Sequence, residues 1–318
     1  MPLGNHISKD GERMHKAIAS AMLAAEEYIE LECAQIFVMG PRSAAENLDD
    51  AEKDGIKNII NDKKIRMYAH ASYLSNPWGV KSAFGVSLVK REMKICDELG
   101  FVGLVVHLAR KPPKVIAAMI STLISETQTV KLFLEIESYK PLADKIDGST
   151  CTYETPQKLG ELAREIHSAL NVANAANEMH RIGICIDTAH LWAAGTDIST
   201  YNKMSQWLTD TKRELSAHGC NNLLVHLNDQ IWTLGGGRDE HAPLLRGTIW
   251  GSYNPAYGGT DTPENSGLQK ILEWSNENSI DMIMERKSNK PVTKNEAGIA
   301  VNNIMSDYVV ISSMGFPE

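Results

Sequence analysis

The chain has 318 residues, of which 43% are apolar and 23% are charged, and its formal net charge is −8. This composition supplies material for one large core and excludes a disordered chain. The acidic balance argues against a protein that holds nucleic acid by side-chain charge alone, because duplex DNA is bound largely through positive charge.

Cysteine use and the N-terminus indicate the cellular compartment. The cysteine count of five is odd, and no Cys-x-x-Cys pair occurs, so neither a disulfide framework nor a thiolate zinc cluster is expected. The N-terminal residues lack the apolar core of a signal peptide, and no apolar run approaches the roughly 20 residues of a membrane span. We therefore expect an intracellular protein without a membrane partner, in the cytoplasm or nucleus, or in the virion if its source is viral.

Strand-like apolar runs alternate with helical segments along the chain. The first half reads as GNHIS, a helix over 11–32, QIFV, KIRMYAH, a helix over 81–99, GLVVH and a helix over 113–126. The second half reads as KLFLE, a helix over 155–179, IGICID, a helix over 201–216, LLVHL, a helix over 264–278 and DMIME.

This alternation is typical of a parallel sheet with helical crossovers, and eight strands at this length favour a closed barrel. We predict an α/β protein, a single (β/α)8 TIM barrel domain over 1–318 with enlarged loops at its C-terminal face. An open doubly wound sheet is the main alternative. An open sheet of this kind is expected to have a Gly-rich phosphate-binding turn after an early strand, and neither G-x-G-x-x-G nor a Walker sequence occurs here.

Six of the predicted strands carry a residue that can bind a metal at or next to their last position. The ends of parallel barrel strands converge at one face, so these side chains are expected to meet there. Imidazole and carboxylate donors together suit a divalent ion such as zinc or manganese. The six residues are His70, His107, Glu135, Asp187, His226 and Glu285.

A long loop over 228–262 carries two more candidates, Asp239 and His241, after a run of three glycines. Loops beyond about 15 residues in compact domains are usually functional or disordered. An Asp-x-His pair beside a strand-end histidine predicts a further metal site.

Each candidate has a simpler explanation when it is taken alone. A strand-end histidine is more often a hydrogen-bonded core residue than a ligand, and Asp187 followed by Thr188 is a common start for a helix. The recurrence of these residue types at matched positions on successive units is what favours a metal centre.

At these residues the chain resembles endonuclease IV, the family of zinc-dependent abasic-site endonucleases. The matching stretches span nearly the whole chain in family order. They are GNHIS, QIFVMGPR, YAHASYL, LVVH, FLE, GICIDTAHLWAAGTD, HLND, DEHAP and IMER.

The resemblance implies three zinc ions per chain, for which manganese could substitute. Their charge would offset six of the eight net negative charges of the chain. It assigns His70, His107 and Glu135 to the first ion, and Glu135, Asp187, His226 and Glu285 to the second. The third ion would take His190, Asp239 and His241.

The resemblance also implies a reaction on duplex DNA. It is hydrolysis of the phosphodiester 5′ to an abasic site, leaving a 3′-hydroxyl and a 5′-deoxyribose phosphate. Glu135 would be the catalytic bridging carboxylate that orients the attacking zinc-bound hydroxide. Action on blocked 3′ ends, as a 3′-phosphatase or 3′-phosphodiesterase, and 3′–5′ exonuclease activity are implied by the family alone, and a monomer is expected.

Three further residues match family positions that enter the base stack at the lesion: Arg42, Tyr73 and Leu74. A wedge of this kind serves enzymes that flip a nucleotide out of the duplex. The alternative is that Tyr73 and Leu74 only pack the rim of the barrel.

The chain departs from the family in the loops around the metals. The family's Asn-Thr-Ala-Gly after FLE is replaced by IESYKPLADK, and its HPG after the fourth strand is HLAR. Glu240 stands where an arginine is usual, and Gly236 and Gly237 replace Ser-Arg, with Arg238 displaced toward the ligands. These changes predict an altered substrate preference in a diverged member, of the kind that a large DNA virus could encode.

Two other functions stay open at this point. A metal-dependent sugar isomerase or epimerase of the xylose isomerase type also places His, Glu and Asp at strand ends, although it needs neither a third site nor a wedge. A non-catalytic DNA-binding relative would keep the metals for stability, but it gains little from an open site with nine ligands.

Overall fold

Eight parallel strands form a closed barrel in this computed structural model, which describes residues 2–9, 11–78, 82–139, 151–251, 265–286 and 304–314. The barrel strands are β1 (Leu3–His6), β2 (Cys33–Phe37), β3 (Arg66–His70), β4 (Gly103–His107), β5 (Lys131–Glu135), β6 (Ile182–Asp187) and β7 (Asn222–His226), then β10 (Met282–Met284). Between the last two, β8 (Asp229–Gln230) and β9 (His241–Ala242) pair as an antiparallel ribbon.

Neighbouring barrel strands follow the chain order, and β10 closes the barrel by pairing with both β7 and β1. The helices pack around the outside. They are α1 (Met14–Ala25), α2 (Asp50–Lys63), α3 (Ala83–Leu99), α4 (Pro113–Ile124), α5 (Pro156–Val172), α6 (Thr188–Ala194), α7 (Tyr201–Ser216), α8 (Gly267–Glu277) and α9 (Met305–Ser313), with a short 3-10 helix at Ala176–Arg181.

The predicted barrel and its strands are confirmed, whereas some helix predictions are wrong. The predicted helix over 155–179 stops at Val172, because Asn174 has a positive φ of 54° that breaks the helix before the 3-10 turn. Helix α2 was not predicted, since only Glu52 and Ile56 of its side chains are fully buried and its apolar pattern is weak. Helices α6 and α9 were also missed. The predicted helix starts at 81 and 264 lie outside the described residues.

The middle of the barrel is filled by inward-facing side chains: Cys33, Tyr68, Val105, Phe133, Cys185, Leu224 and Ile283. The Phe133 ring occupies space left by two glycines on the flanking strands. A Cβ atom at Gly103 would lie 2.7 Å from this ring, and one at Gly183 would lie 2.6 Å from it. This packed layer separates the two ends of the barrel.

The N-terminal end of the barrel holds a compact polar cluster. The Arg66 guanidinium donates to both carboxylate oxygens of Asp281 at 2.7–3.0 Å, and the Tyr68 hydroxyl donates to the same carboxylate at 2.5 Å. Arg66 also donates to Glu32 at 3.2 Å. Every charge in this cluster therefore has an opposite charge or a donor in contact with it.

None of the helices in the described part of the chain combines the length and the apolar composition needed to cross a membrane.

Candidate metal centre

The C-terminal end of the barrel gathers all nine residues that the resemblance assigns to metal ions. His70, His107, Glu135, Asp187 and His226 are the last residues of β3 to β7, and they project into one mouth because side chains at matched strand positions share a face. The donor atoms of eight of the nine residues form three groups, and the atoms of each group lie within 4.8 Å of one another. The groups are His70, His107 and Glu135; Glu135, Asp187, His226 and Glu285; and Asp187, His190 and His241.

Glu135 lies at the centre of the site and is only 1% exposed. Its Oε2 atom is 3.1 Å from His70 Nε2 and 3.2 Å from His107 Nε2. Its Oε1 atom is 3.1 Å from His226 Nδ1, on the opposite side of the carboxylate. The two oxygens of one carboxylate therefore serve two different groups, which is the geometry of a bridging ligand.

The second group is held by two side-chain amides. Gln35 accepts a hydrogen bond from His226 Nε2 at 3.0 Å and donates to Glu285 Oε1 at 3.0 Å. Asn228 donates to Asp187 Oδ2 at 2.8 Å and to Glu285 Oε2 at 3.3 Å, and it accepts from the backbone N–H of Glu285 at 3.0 Å. These contacts fix the orientation of both carboxylates and leave His226 Nδ1 facing inward.

The third group depends on how the chain turns after β6. The Asp187 side chain caps helix α6 by accepting from the His190 backbone N–H at 2.8 Å, which places His190 next to the strand end. His241 comes from strand β9 of the ribbon. Asp239, which the resemblance assigns to this ion, contacts both histidines, with Oδ1 3.0 Å from His241 Nε2 and Oδ2 3.4 Å from His190 Nε2. Asp239 is the most exposed of the nine, at 44%.

All five histidines of the site share one arrangement. The outward nitrogen of each faces an acceptor: a backbone carbonyl for His70, His190 and His241, the Gln35 amide for His226, and the Glu137 carboxylate for His107. The inward nitrogen of each faces a carboxylate oxygen at 3.0–3.4 Å. A neutral ring that donates outward presents a lone pair to that carboxylate, so a cation between them is needed to make the contact favourable.

The pKa shifts in the site have the same cause. In the absence of a cation, the histidine nitrogens and the carboxylates compete for protons. Burial lowers the pKa of His70, but the Glu135 carboxylate outweighs it and the pKa is raised. Burial likewise opposes the Asp239 carboxylate at His241, whose pKa is raised to about 9. Burial raises the pKa of Glu135, but the surrounding histidines, His107 first, hold it well below its usual value. The donor set of nitrogen and oxygen atoms therefore fits divalent ions such as zinc, which would replace these protons.

The three predicted DNA-contacting residues lie together beside the first metal group. The Tyr73 backbone N–H donates to the Pro41 carbonyl at 2.9 Å, which ties the loop after β3 to the loop that carries Arg42. The Tyr73 ring stands 5.8 Å from the His70 ring and 5.9 Å from the His107 ring, measured between centroids. Tyr73 is 57% exposed and Leu74 is 43% exposed. Both side chains therefore keep surface with which they could contact a bound duplex, and their role as a wedge stays a prediction.

A buried glutamate supports this loop from below. Glu92 on α3 accepts from the Ser72 backbone N–H at 2.7 Å and from the Ser75 hydroxyl at 2.7 Å. Burial raises the pKa of Glu92 to about 7. The loop that presents Tyr73 and Leu74 thus rests on a carboxylate with no exposed surface.

Sequence reasoning missed the residues that orient the ligands. Gln35 and Asn228 lie inside the matched stretches QIFV and HLND, so a polar residue inside an apolar strand was an available signal. Glu137 and Glu92 gave no such signal, because their partners are fixed only by the fold. In the departing loops, Arg238 lies over the Trp232 ring at 4.2 Å, and Glu240 accepts from the Trp232 indole N–H at 3.0 Å. Residues 140–145 of the altered loop after β5 lie outside the described residues, as do residues 252–262 of the predicted long loop.

Comparison with known proteins places these features in a family. The profile of the family described as "xylose isomerase-like TIM barrel" matches residues 23–254. A protein of African swine fever virus named "Probable AP endonuclease" is 33% identical over 253 residues, covering 80% of this chain and 78% of the viral protein.

Solved structures agree with this relationship. The crystal structure of AsfvAP:AG superposes with a TM-score of 0.76 at 27% identity, covering 98% of this chain and 96% of the other. Endonuclease IV from Thermus thermophilus superposes with a TM-score of 0.66 over 94% of both chains, and at 21% identity it shows the shared fold.

Proposed function

The chain belongs to the xylose isomerase-like TIM barrel family, among relatives that include AP endonucleases and endonuclease IV, and we propose that it is itself an AP endonuclease. Its substrate would be duplex DNA with an abasic site. The reaction would be hydrolysis of the phosphodiester 5′ to that site, leaving a 3′-hydroxyl. Its metal ions would be three zinc ions held by the nine residues at the C-terminal end of the barrel.

The observation that carries this proposal is the shared arrangement of the five histidines, three of which face Glu135. Each inward nitrogen faces a carboxylate oxygen, and the two oxygens of Glu135 face separate groups. Such an arrangement suits two ions that share one carboxylate ligand, with a third ion beside them. When bound, divalent ions in this geometry supply an activated nucleophile at neutral pH and positive charge for the phosphate.

The side chains of the protein itself would then do three things. Glu135 would hold the first two ions at a fixed spacing. The outer acceptors would hold each histidine in one tautomer with one ring orientation. Tyr73 and Leu74 would enter the base stack beside the metals and help to place the abasic sugar-phosphate over them.

Repair of blocked 3′ ends is a natural extension of the same chemistry, since a 3′-phosphate or 3′-phosphoglycolate presents a phosphoester to the same ions. We include 3′-phosphatase, 3′-phosphodiesterase and 3′–5′ exonuclease activity in the proposal on that basis. The altered loop, with Glu240 in place of an arginine and Gly236–Gly237 in place of Ser-Arg, predicts weaker phosphate contacts than the family pattern provides.

A sugar isomerase or epimerase is the second candidate, and the barrel fold by itself does not discriminate against it. The exposed pair Tyr73 and Leu74 and the third ligand group at the ribbon favour the nuclease. A small sugar substrate has no use for an apolar wedge that projects into solvent.

The proposed function is tested with an end-labelled duplex that carries one abasic analogue. We expect incision immediately 5′ of the lesion, loss of incision after chelator treatment, and recovery on addition of zinc. An undamaged duplex of the same sequence is the control. Absence of incision by a folded protein that holds its full zinc content would refute the nuclease and leave the sugar isomerase to be tested.

A further inference from the structure

The outer acceptor of His107 differs in kind from those of the other four histidines in the metal centre. Three of the others donate to backbone carbonyls, and His226 donates to the neutral Gln35 amide. His107 Nδ1 instead lies 3.1 Å from Oε1 of the Glu137 carboxylate. A carboxylate acceptor makes a charge-assisted hydrogen bond, which is roughly twice as strong as a bond between neutral groups.

His107 is also the histidine with the greatest need of such support. Its side chain is 27% exposed, whereas those of His70, His190 and His226 are at most 3% exposed and that of His241 is 16% exposed. A buried ring is held by packing, but a partly exposed ring can turn unless a hydrogen bond fixes it. The backbone carbonyl of His107 accepts from the Trp78 indole N–H at 2.7 Å, and this contact fixes the strand end without fixing the ring.

Glu137 is itself well placed to act as a fixed group. It lies two residues after Glu135, so strand β5 positions both carboxylates, and its side chain is only 20% exposed. Glu137 and His107 line one pocket together with Tyr139, whose ring lies 4.0 Å from the Arg110 guanidinium. Glu137 belongs to the stretch IESY, where the family pattern continues with Asn-Thr-Ala, so a carboxylate stands at a position where the pattern has threonine.

We propose that Glu137 is a positioning residue for the first metal ion, acting through His107, an inference that rests on the proposed metal centre. Its carboxylate holds the His107 imidazole as the Nδ1–H tautomer with the Nε2 lone pair turned toward Glu135 and His70. It also makes the ring a stronger donor to a metal, because a negative charge on the N–H side increases electron density at Nε2. Glu137 thereby compensates for the exposure of His107.

Zinc binding to the metal-free protein tests this inference. Competition with a chromophoric chelator would be used to titrate Zn²⁺ into the wild type, Glu137→Ala and Glu137→Gln. Loss of a partner that orients a ligand typically weakens metal binding by about 10- to 100-fold. We therefore expect one of three zinc equivalents to bind at least about tenfold more weakly in Glu137→Ala and about threefold more weakly in Glu137→Gln, whose amide oxygen still accepts a hydrogen bond.

Two controls separate this effect from a general loss of charge or fold. Glu161→Ala removes an exposed carboxylate of α5 that pairs only with Arg164 at 3.8 Å in the described structure, and it should leave all zinc affinities unchanged. Circular dichroism establishes that each variant is folded. If Glu137→Ala does not fold, the zinc affinity of Glu137→Gln tests the inference instead.

A second measurement needs no metal. Long-range ¹⁵N–¹H correlation spectra of the histidine rings, recorded at alkaline pH where the His107 ring is neutral, should show one Nδ1–H tautomer in the metal-free wild type that is lost or averaged in Glu137→Ala.

The outcomes also separate this inference from the proposed function. If the wild type binds three zinc ions and incises abasic DNA while Glu137→Ala binds zinc equally tightly, the role of Glu137 is refuted and the nuclease stands. If the wild type binds no zinc and does not incise abasic DNA, the proposed function is refuted, and so is the inference, because it rests on that function. One selectively weakened zinc equivalent, with a changed His107 tautomer, supports both.

Discussion

Both ends of the barrel contain buried carboxylates, but the two ends balance the charge of these carboxylates differently. At the N-terminal end, Asp281 is satisfied within the protein by Arg66 and by the Tyr68 hydroxyl. At the C-terminal end, four carboxylates converge, and within the described residues each of their ion pairs is with a histidine. A histidine that also donates outward needs an added cation to face a carboxylate. The charges at the N-terminal end are therefore paired within the protein, whereas the side chains at the C-terminal end form a donor set that suits metal ions.

Neutralising the centre of the metal end should give the largest effect. In Glu135→Gln, one oxygen of the bridging carboxylate becomes an N–H donor that points at a histidine nitrogen, so the two ion groups no longer share a ligand. We expect kcat/KM on abasic duplex to fall by about 10³-fold or more, together with a loss of bound zinc. Steady-state incision assays and metal analysis check this, with Glu161→Gln as the control. Near wild-type turnover in a folded Glu135→Gln would remove Glu135 from the mechanism.

The corresponding change at the other end should affect stability instead of activity. Asp281→Asn leaves the Arg66 guanidinium without its main partner next to a buried tyrosine hydroxyl. Removal of one member of a buried ion pair costs about 3–5 kcal/mol, and because Arg66 is 40% exposed we expect a smaller loss, about 2–3 kcal/mol.

Urea unfolding measures this loss, and kcat/KM below the unfolding range should stay at the wild-type value. Asp210→Asn, which breaks an exposed pair with Arg213, should have no measurable effect. A large loss of activity in folded Asp281→Asn would show that the two ends are coupled across the apolar layer.

Much of this arrangement could be predicted from the order in which the His, Asp and Glu residues occur along the chain. Strand periodicity predicted the barrel, and the positions of His70 to Glu285 at strand ends predicted which face would hold ions. The comparisons confirm the resemblance to the endonuclease IV family, to which the matched stretches pointed.

What could not be predicted is the set of contacts between distant parts of the chain. Arg66 and Asp281 lie 215 positions apart, and Gln35 and Glu285 lie 250 apart, so no local pattern pairs them. Helix α2 was missed because its stability comes from the Asp49–Glu52 capping box and from a few contacts, not from an apolar stripe.

Glu92, which lies below the loop that presents Tyr73 and Leu74, predicts a pH dependence of the unfolding free energy. The pKa of Glu92 is raised to about 7 in the folded state by burial, so the folded state favours the protonated carboxyl. The protonated Glu92 carboxyl therefore stabilises the folded state at pH values below the ordinary pKa of glutamate. This stabilisation is lost as the pH rises through about 7.

In Glu92→Gln this loss should be absent. Between about pH 5 and pH 8, the unfolding free energy of the metal-free wild type should fall by about 2 kcal/mol more than that of Glu92→Gln. Urea unfolding at each pH measures the difference, and Glu161→Gln should follow the wild type. Parallel curves for Glu92→Gln and the wild type would show that the carboxyl does not titrate in this range.

The smallest expected effect tests whether the exposed side chains beside the metals read the lesion. Tyr73→Ala with Leu74→Ala removes apolar surface that is 57% and 43% exposed, so the fold should lose little. Stacking of a side chain in a duplex contributes about 1–3 kcal/mol, and we expect about tenfold weaker binding to abasic duplex, measured by fluorescence anisotropy.

Binding of this double variant to undamaged duplex and its zinc content should not change, because neither residue is a metal ligand. Leu23→Ala, at an exposed position on α1, is the matched control for loss of apolar surface. If the folded, zinc-containing double variant binds abasic duplex as tightly as the wild type, these residues do not act as a wedge. Lesion recognition would then have to come from Arg42 or from the metal ions and their ligands.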